Sequence, residues 1–182
     1  MTEEIIFERE NQLRQDEYVR CAFINCNFSE EHFSNFRFEN CRFIDCNLHM
    51  LKVVNTLFSD IDFKGSKMNG IKFETANPFV SFSFDNCLLN HSSFYKMKLR
   101  ELKFVNCSLK GVDFTQADLK GVDFDNSDLL DALFDKTILE NADLRTAINF
   151  AIDPSNNKVA KAKFSNSNLA GLLTKYNIKI EQ

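Results

Sequence analysis

The chain has 182 residues, a formal net charge of −4 and a pI near 5.4. That length bounds it to one domain, and the acidic balance argues against direct binding of nucleic acid. The opening MTEEIIFERENQLRQDE has neither a basic start nor a long apolar run. This excludes a signal peptide or membrane-spanning segment there and predicts a soluble, cytoplasmic protein with no membrane partner.

Residues 1–17 read as an N-terminal cap, with Ile5, Ile6 and Phe7 placed to cover an open end of the structure that follows. From residue 18 a beat of five takes over. Large hydrophobes recur at Phe23, Phe28, Phe33, Phe38, Phe43, Leu48, Val53, Phe58, Phe63, Met68 and Phe73. They recur again at Phe79, Phe84, Leu89, Phe94, Leu99, Phe104, Leu109, Phe114, Leu119, Phe124, Leu129, Phe134, Leu139 and Leu144. A period of five fits neither an α-helix nor a flat strand, so the chain is a repeat architecture.

Taking each large hydrophobe as a centre, that residue and the one two places before it lie on the same side of an extended chain and point inward. The residue between them points out. The two residues after the centre must turn the chain, and Asn25, Asn35, Asn40, Asp45, Asn55, Asp60, Gly65, Gly70, Asn86, Asn106, Gly111, Gly121, Asn126 and Asn141 are suited to that turn. The chain therefore winds around an axis of stacked side chains over 18–146.

Between Phe73 and Phe79 the interval is six instead of five. The extra residue falls in 74–78, Glu-Thr-Ala-Asn-Pro, and predicts a bulge or kinked corner, since Pro78 cannot donate a ladder hydrogen bond. After Leu144 the beat weakens. Residues 147–160 contain Asp153-Pro154 and read as a loop or short helix leaving the coil, 161–169 as a last turn with Phe164 and Leu169 in phase, and 170–182 as a cap. In that cap Leu169, Leu172, Leu173 and Tyr176 have helical spacing, while Ile178 and Ile180 alternate as in a strand. It serves either to shield the last coil or as a two-fold contact.

Chemistry is sparse. All six Cys fall two places before a centre, where a free thiol acts as a small buried hydrophobe, and no Cys/His spacing suits zinc. His32, His49 and His91 stand alone on outward positions. Asp123, Asp125 and Ser127 resemble the start of a calcium loop, but Asp128 stands where that loop needs Gly and Phe134 where it needs Glu. No catalytic pair, phosphate loop, metal site or cofactor site is expected, and no enzyme. One surface feature stands out. From Gly111 to Arg145 lie Asp113, Asp118, Asp123, Asp125, Asp128, Asp131, Asp135, Glu140 and Asp143, against only Lys120, Lys136 and Arg145. These acids are the candidate partner surface. Basic runs elsewhere, Lys64/Lys67/Lys72 and Lys96/Lys98/Arg100/Lys103, interrupt it along the length.

The segments ADLKG, VDFDN and ADLRT resemble the A(D/N)LXX signature of pentapeptide-repeat proteins. The resemblance covers roughly 18–169 and implies an all-β fold: a right-handed quadrilateral β-helix with four pentapeptides per coil and a short C-terminal helical cap. The pairs Cys21/Cys41, Cys26/Cys46 and Cys87/Cys107, each 20 residues apart, agree with that coil length. Within the family the chain is most similar to the Qnr and MfpA-type group, DNA-shaped dimers that bind type II topoisomerases (DNA gyrase and topoisomerase IV) and protect them from quinolones or toxins. That implies a non-enzymatic DNA mimic whose dimer contact involves Leu169, Leu172, Leu173, Tyr176, Ile178 and Ile180. The longer loops of several Qnr proteins are missing. The alternative is a protein-interaction scaffold with another partner. A continuous negative stripe on the dimer favours the first reading and a patchwork the second.

Overall fold

The computed structural model describes residues 4–179. Its strands are β1 (Ile5–Glu8), β2 (Glu17–Val19), β3 (Cys21–Ile24), β4 (Arg37–Ile44), β5 (Leu57–Lys64), β6 (Phe82–Asp85) and β7 (Phe104–Val105). All pair in parallel, each with an element one coil away. Phe23 pairs with Phe43, and Phe38 with Phe58, at a spacing of 20 residues. Beyond β7 the ladder continues as single bridges at the same spacing, such as Lys103 with Asp123 and Asp123 with Asp143. The molecule is a parallel β-helix whose coil has four short sides, as the five-residue beat requires.

Each corner has a physical cause. All fourteen turn residues singled out in the sequence have positive φ, among them Asn25 at 53° and Gly111 at 63°. The same left-handed conformation is imposed on residues with no preference for it, including Glu30, Met50, Lys96, Glu101, Gln116 and Lys136. A non-glycine residue there costs on the order of 1 kcal/mol, so burial of the neighbouring centres overrides local preference. Gly111 has a second reason to be glycine, because a Cβ there would stand 2.6 Å from His91 Nδ1 in the coil before.

The two longest stacks of Phe rings in the interior meet edge to face. One runs Phe23–Phe43–Phe63–Phe84–Phe104–Phe124 with centroid spacings of 4.7 to 5.4 Å. The other runs Phe73–Phe94–Phe114–Phe134, from 4.7 to 5.5 Å. Phe94 meets Phe104 nearly perpendicular at 5.7 Å, the geometry favoured by the ring quadrupoles. The position two before each centre also points inward and is often filled by a small residue. All six Cys are there, buried and free, and burial pushes the Cys21 thiol up to about 11 and the Cys46 thiol up to about 12.

Buried hydroxyls share that column and reveal its polar role. Ser66, Ser127 and Thr137 donate to the carbonyls of Phe43, Phe104 and Phe114 in the coil before, at 3.2, 3.0 and 2.9 Å. Cys46 and Cys87 thiols reach the Phe23 and Phe63 carbonyls in the same way, at 3.3 and 3.4 Å.

Several expectations are corrected. Phe79 is not a centre: it is 82% exposed. The corner opens with a 3-10 turn at Phe73–Thr75, and the ladder resumes one residue late, with Ile61 opposite Phe82. Phe82 packs at 5.6 Å from both Phe58 and Phe73 and so takes the interior volume that Phe79 would need. The segment 147–160 does not leave the coil, because bridges Asp128–Ile148 and Ile138–Lys158 keep the 20-residue spacing. Ala147, Phe150 and Ile152 are buried, and the Asn157 amide takes an inward position, donating to Phe134 O while its oxygen accepts from Thr137 N. The C-terminal cap is helical as expected, in the 3-10 form, at Asn166–Leu172 and Thr174–Tyr176, but Ile178 lies in no strand. Leu169 is exposed within the first of these turns, so it is not an interior centre. At the other end Phe7 caps the stack, 5.1 Å from Phe23, with Leu13 also packed against the core, whereas Ile5 and Ile6 are exposed.

Candidate partner-binding surface

The residue just before each centre points out, and the parallel register stacks these residues into columns running along the helix. The acidic candidates fall in all four. Asp113 lies between Ser93 and Leu133, Asp118 between Lys98 and Ile138, and Asp128 between Ser108 and Ile148. Asp123 and Asp143 are adjacent, bracketed by Lys103 and Lys163. Asp125, Asp131, Asp135 and Glu140 occupy the corners beside them.

Several of these carboxylates are already partnered. Asp118, expected to stand out in solvent, is buried beneath Arg100, which reaches Oδ2 at 2.7 Å through both Nε and a terminal nitrogen. The structure removes it from the exposed set because Arg100, from the coil before, lies across it. Asp128 meets Lys110 at 3.2 Å, Glu140 meets Lys120 at 3.6 Å, and Asp143 is held by Arg145 at 2.7 Å and Lys163 at 3.6 Å. Hydrogen bonds from Arg145 hold the Asp143 carboxyl below the usual carboxylate range. Asp125 and Asp135 accept from Thr146 and Asn156. Asp113, Asp123, Asp125, Asp131 and Asp135 have no ion pair among the described residues, and Asp131 is the most open of the candidates. The surface is a patchwork in which four of the nine acids are answered by cations, mostly from a neighbouring coil, and five are not, a pairing that reading the sequence as a line conceals.

The other candidate surface lies at the C-terminal end. Leu169, Leu173, Tyr176 and Ile178 are exposed by 42, 37, 59 and 55%, respectively. Leu172 packs inward against the core, and Ile180 lies outside the described residues. The cap is anchored by Asn168, whose amide donates to Leu144 O and Ala147 O. Lys175 also holds it, reaching Asp153 Oδ1 at 2.6 Å, and this bond depresses the Asp153 carboxyl to about 2. No group of His, Cys, Asp or Glu suited to a metal occurs among the described residues, and none of their helices is long and apolar enough to cross a membrane.

The same architecture recurs in solved structures. Two trypsin-treated forms of QnrB1, a plasmid-mediated fluoroquinolone resistance protein, are similar with TM-scores of 0.66 and 0.56 at 17 and 18% identity. The first match covers 99% of this chain and 100% of that one, the second 98% of each. Full-length QnrB1 is similar with a TM-score of 0.50 and 20% identity over 96% of this chain and 98% of that one. No curated protein sequence matches. The family model described as "Pentapeptide repeat region" matches residues 17–78 and 77–172, nearly the whole of the repeat. With the beat of five, the left-handed corners and the 20-residue ladder, that match establishes that the chain belongs to the pentapeptide-repeat family.

Proposed function

We propose that the chain is a non-enzymatic binding rod whose partner is a type II topoisomerase, DNA gyrase or topoisomerase IV, and that it modulates the enzyme or protects it from quinolones. The observation that carries this reading is the likeness to trypsin-treated QnrB1, a fluoroquinolone resistance protein, over 99% of this chain and 100% of that one. The interior supports the non-enzymatic part: it is filled by Phe stacks, and its buried thiols sit two places before the centres, away from solvent.

The test is DNA gyrase supercoiling across a titration of the purified protein at fixed salt, with and without ciprofloxacin. Supercoiling restored in the presence of the drug, or inhibited at micromolar protein, is the expected result. Indifference of both gyrase and topoisomerase IV would overturn it. The interrupted charge favours a second reading, a scaffold for a different protein, because DNA presents uninterrupted negative charge of one per ~1.7 Å whereas three of the four columns set a single acid between Ser, Lys or aliphatic neighbours and the fourth brackets the Asp123–Asp143 pair with lysines.

A further inference from the structure

We infer that the irregular corner at 74–81 is a docking site for an extended segment of a partner protein, one that carries an apolar or aromatic side chain next to carboxylates. This goes beyond the topoisomerase reading and does not rest on it, since it concerns the peptide chemistry and not the protein that supplies it.

Phe79 is the most exposed large hydrophobic residue among the described ones, although the core beneath it is complete without it. It is not left loose. Its N–H donates to Asn77 Oδ1 at 3.0 Å, and Pro78 fixes the backbone just before it. Ser81 ties the far side down, N to Phe58 O at 3.0 Å and hydroxyl to Asp60 Oδ1 at 3.0 Å. An aromatic side chain held out in this way loses little freedom on binding, and aromatic anchors of this kind dominate interface energetics.

Beside Phe79 runs a groove of about 780 Å³ lined by Val80, Met97, Tyr95, Glu74, Lys96 and Lys98, among others. That volume is of the size that takes a ligand's apolar groups. Lys96 lies over the Tyr95 ring at 4.8 Å, and neither Lys96 nor Lys98 has a carboxylate within ion-pair distance among the described residues. Two unanswered ammonium groups flanking an apolar groove are complementary to a carboxylate-bearing segment.

Aromatics beside lysines would also suit a single-stranded nucleic acid. Glu74 decides between them. Its Oε2 is shielded from solvent and has no hydrogen-bond partner, an acceptor that a peptide N–H donor satisfies and a sugar–phosphate backbone, which has no N–H, does not.

The test is selection of a random-peptide phage library on the intact chain and, in parallel, on Phe79→Ala, followed by fluorescence anisotropy of the recovered peptides and of a labelled oligothymidine. The expected outcome is enrichment of peptides with an apolar or aromatic residue beside Asp or Glu. Their affinity should fall about tenfold or more in Phe79→Ala, fall also in Lys96→Glu/Lys98→Glu, and weaken as salt rises. Both variants sit on the surface and should melt with the parent chain. Failure to enrich, enrichment of peptides without carboxylates, binding undiminished in Phe79→Ala, or tighter binding of oligothymidine than of any peptide would each overturn the proposal. The gyrase assay reads a separate property, so failure of one reading is distinguishable from failure of the other.

Discussion

At the scale of single residues, the positions two before each centre have a double duty that composition hides. They must be small enough for the interior, and where they carry Ser, Thr or Cys they donate to the centre carbonyl of the coil before. Ser127 shows both sides, donating to Phe104 O and accepting from Cys107 N at 3.0 Å. Ser127→Ala should therefore cost about 1–3 kcal/mol, the penalty of leaving buried backbone groups unsatisfied. Ser127→Cys should keep most of the stability, because Cys46 and Cys87 fill equivalent places. Urea midpoints of the two variants check this: no loss in Ser127→Ala would mean the hydroxyl has no polar role, and equal losses would mean a thiol does not replace it. The corners teach a related lesson. Asn and Gly mark them plainly in the sequence, whereas Met50 or Lys96 in the same left-handed conformation is visible only because the spacing demands it.

At the scale of elements, the terminal cap depends on a few polar ties. Lys175 bonds Asp153 and depresses its carboxyl to about 2, below the unfolded value of about 3.9. A carboxylate depressed on folding contributes stability that is present above its unfolded pKa and lost as pH falls through the folded one. The cap should therefore loosen between about pH 4 and pH 2, seen as faster amide exchange over 166–176, and Lys175→Met should remove that pH dependence locally. An unchanged exchange profile in Lys175→Met would show that the ion pair does not hold the cap. The corner at 74–81 shows how an element can be misjudged by one residue. Counting correctly locates an insertion, but which Phe goes inward is decided by volume, and Phe82 already occupies the space between Phe58 and Phe73.

At the scale of the whole molecule, two predictions concern assembly and partner. If the exposed Leu169, Leu173, Tyr176 and Ile178 make a two-fold contact, Leu173→Asp should convert a dimer to a monomer in sedimentation equilibrium without lowering thermal stability, since the side chain is not in the core. A dimer that persists would place the contact elsewhere. For the acidic surface, Asp123→Lys with Asp131→Lys reverses two carboxylates that have no ion pair among the described residues. Asp118, buried under Arg100, is a poor choice, since its reversal would break a buried pair and confuse binding with folding. The double reversal should weaken gyrase inhibition about tenfold or more if the acids face the enzyme's DNA site, with β-structure content unaffected; unchanged inhibition would remove the acidic surface from the mechanism.

The fold was legible in the sequence because its cause is local and repeated. A beat of five, an inward pair and a turn residue recur so often that one slip, at 74–81, stands out against them. The acids were legible too, but not their state. Whether Asp118 is open or covered, whether Lys110 answers Asp128, and whether Phe79 or Phe82 enters the core depend on groups about 20 residues apart or more that coiling brings together. By itself the sequence determined the repeat, the inward residues and most of the corners, since each follows from side-chain alternation and backbone preference within five residues. Only the tertiary structure decided the charge pairing, the exposure of Phe79 and the 3-10 form of the cap, because these are settled by competition for space and partners between successive coils.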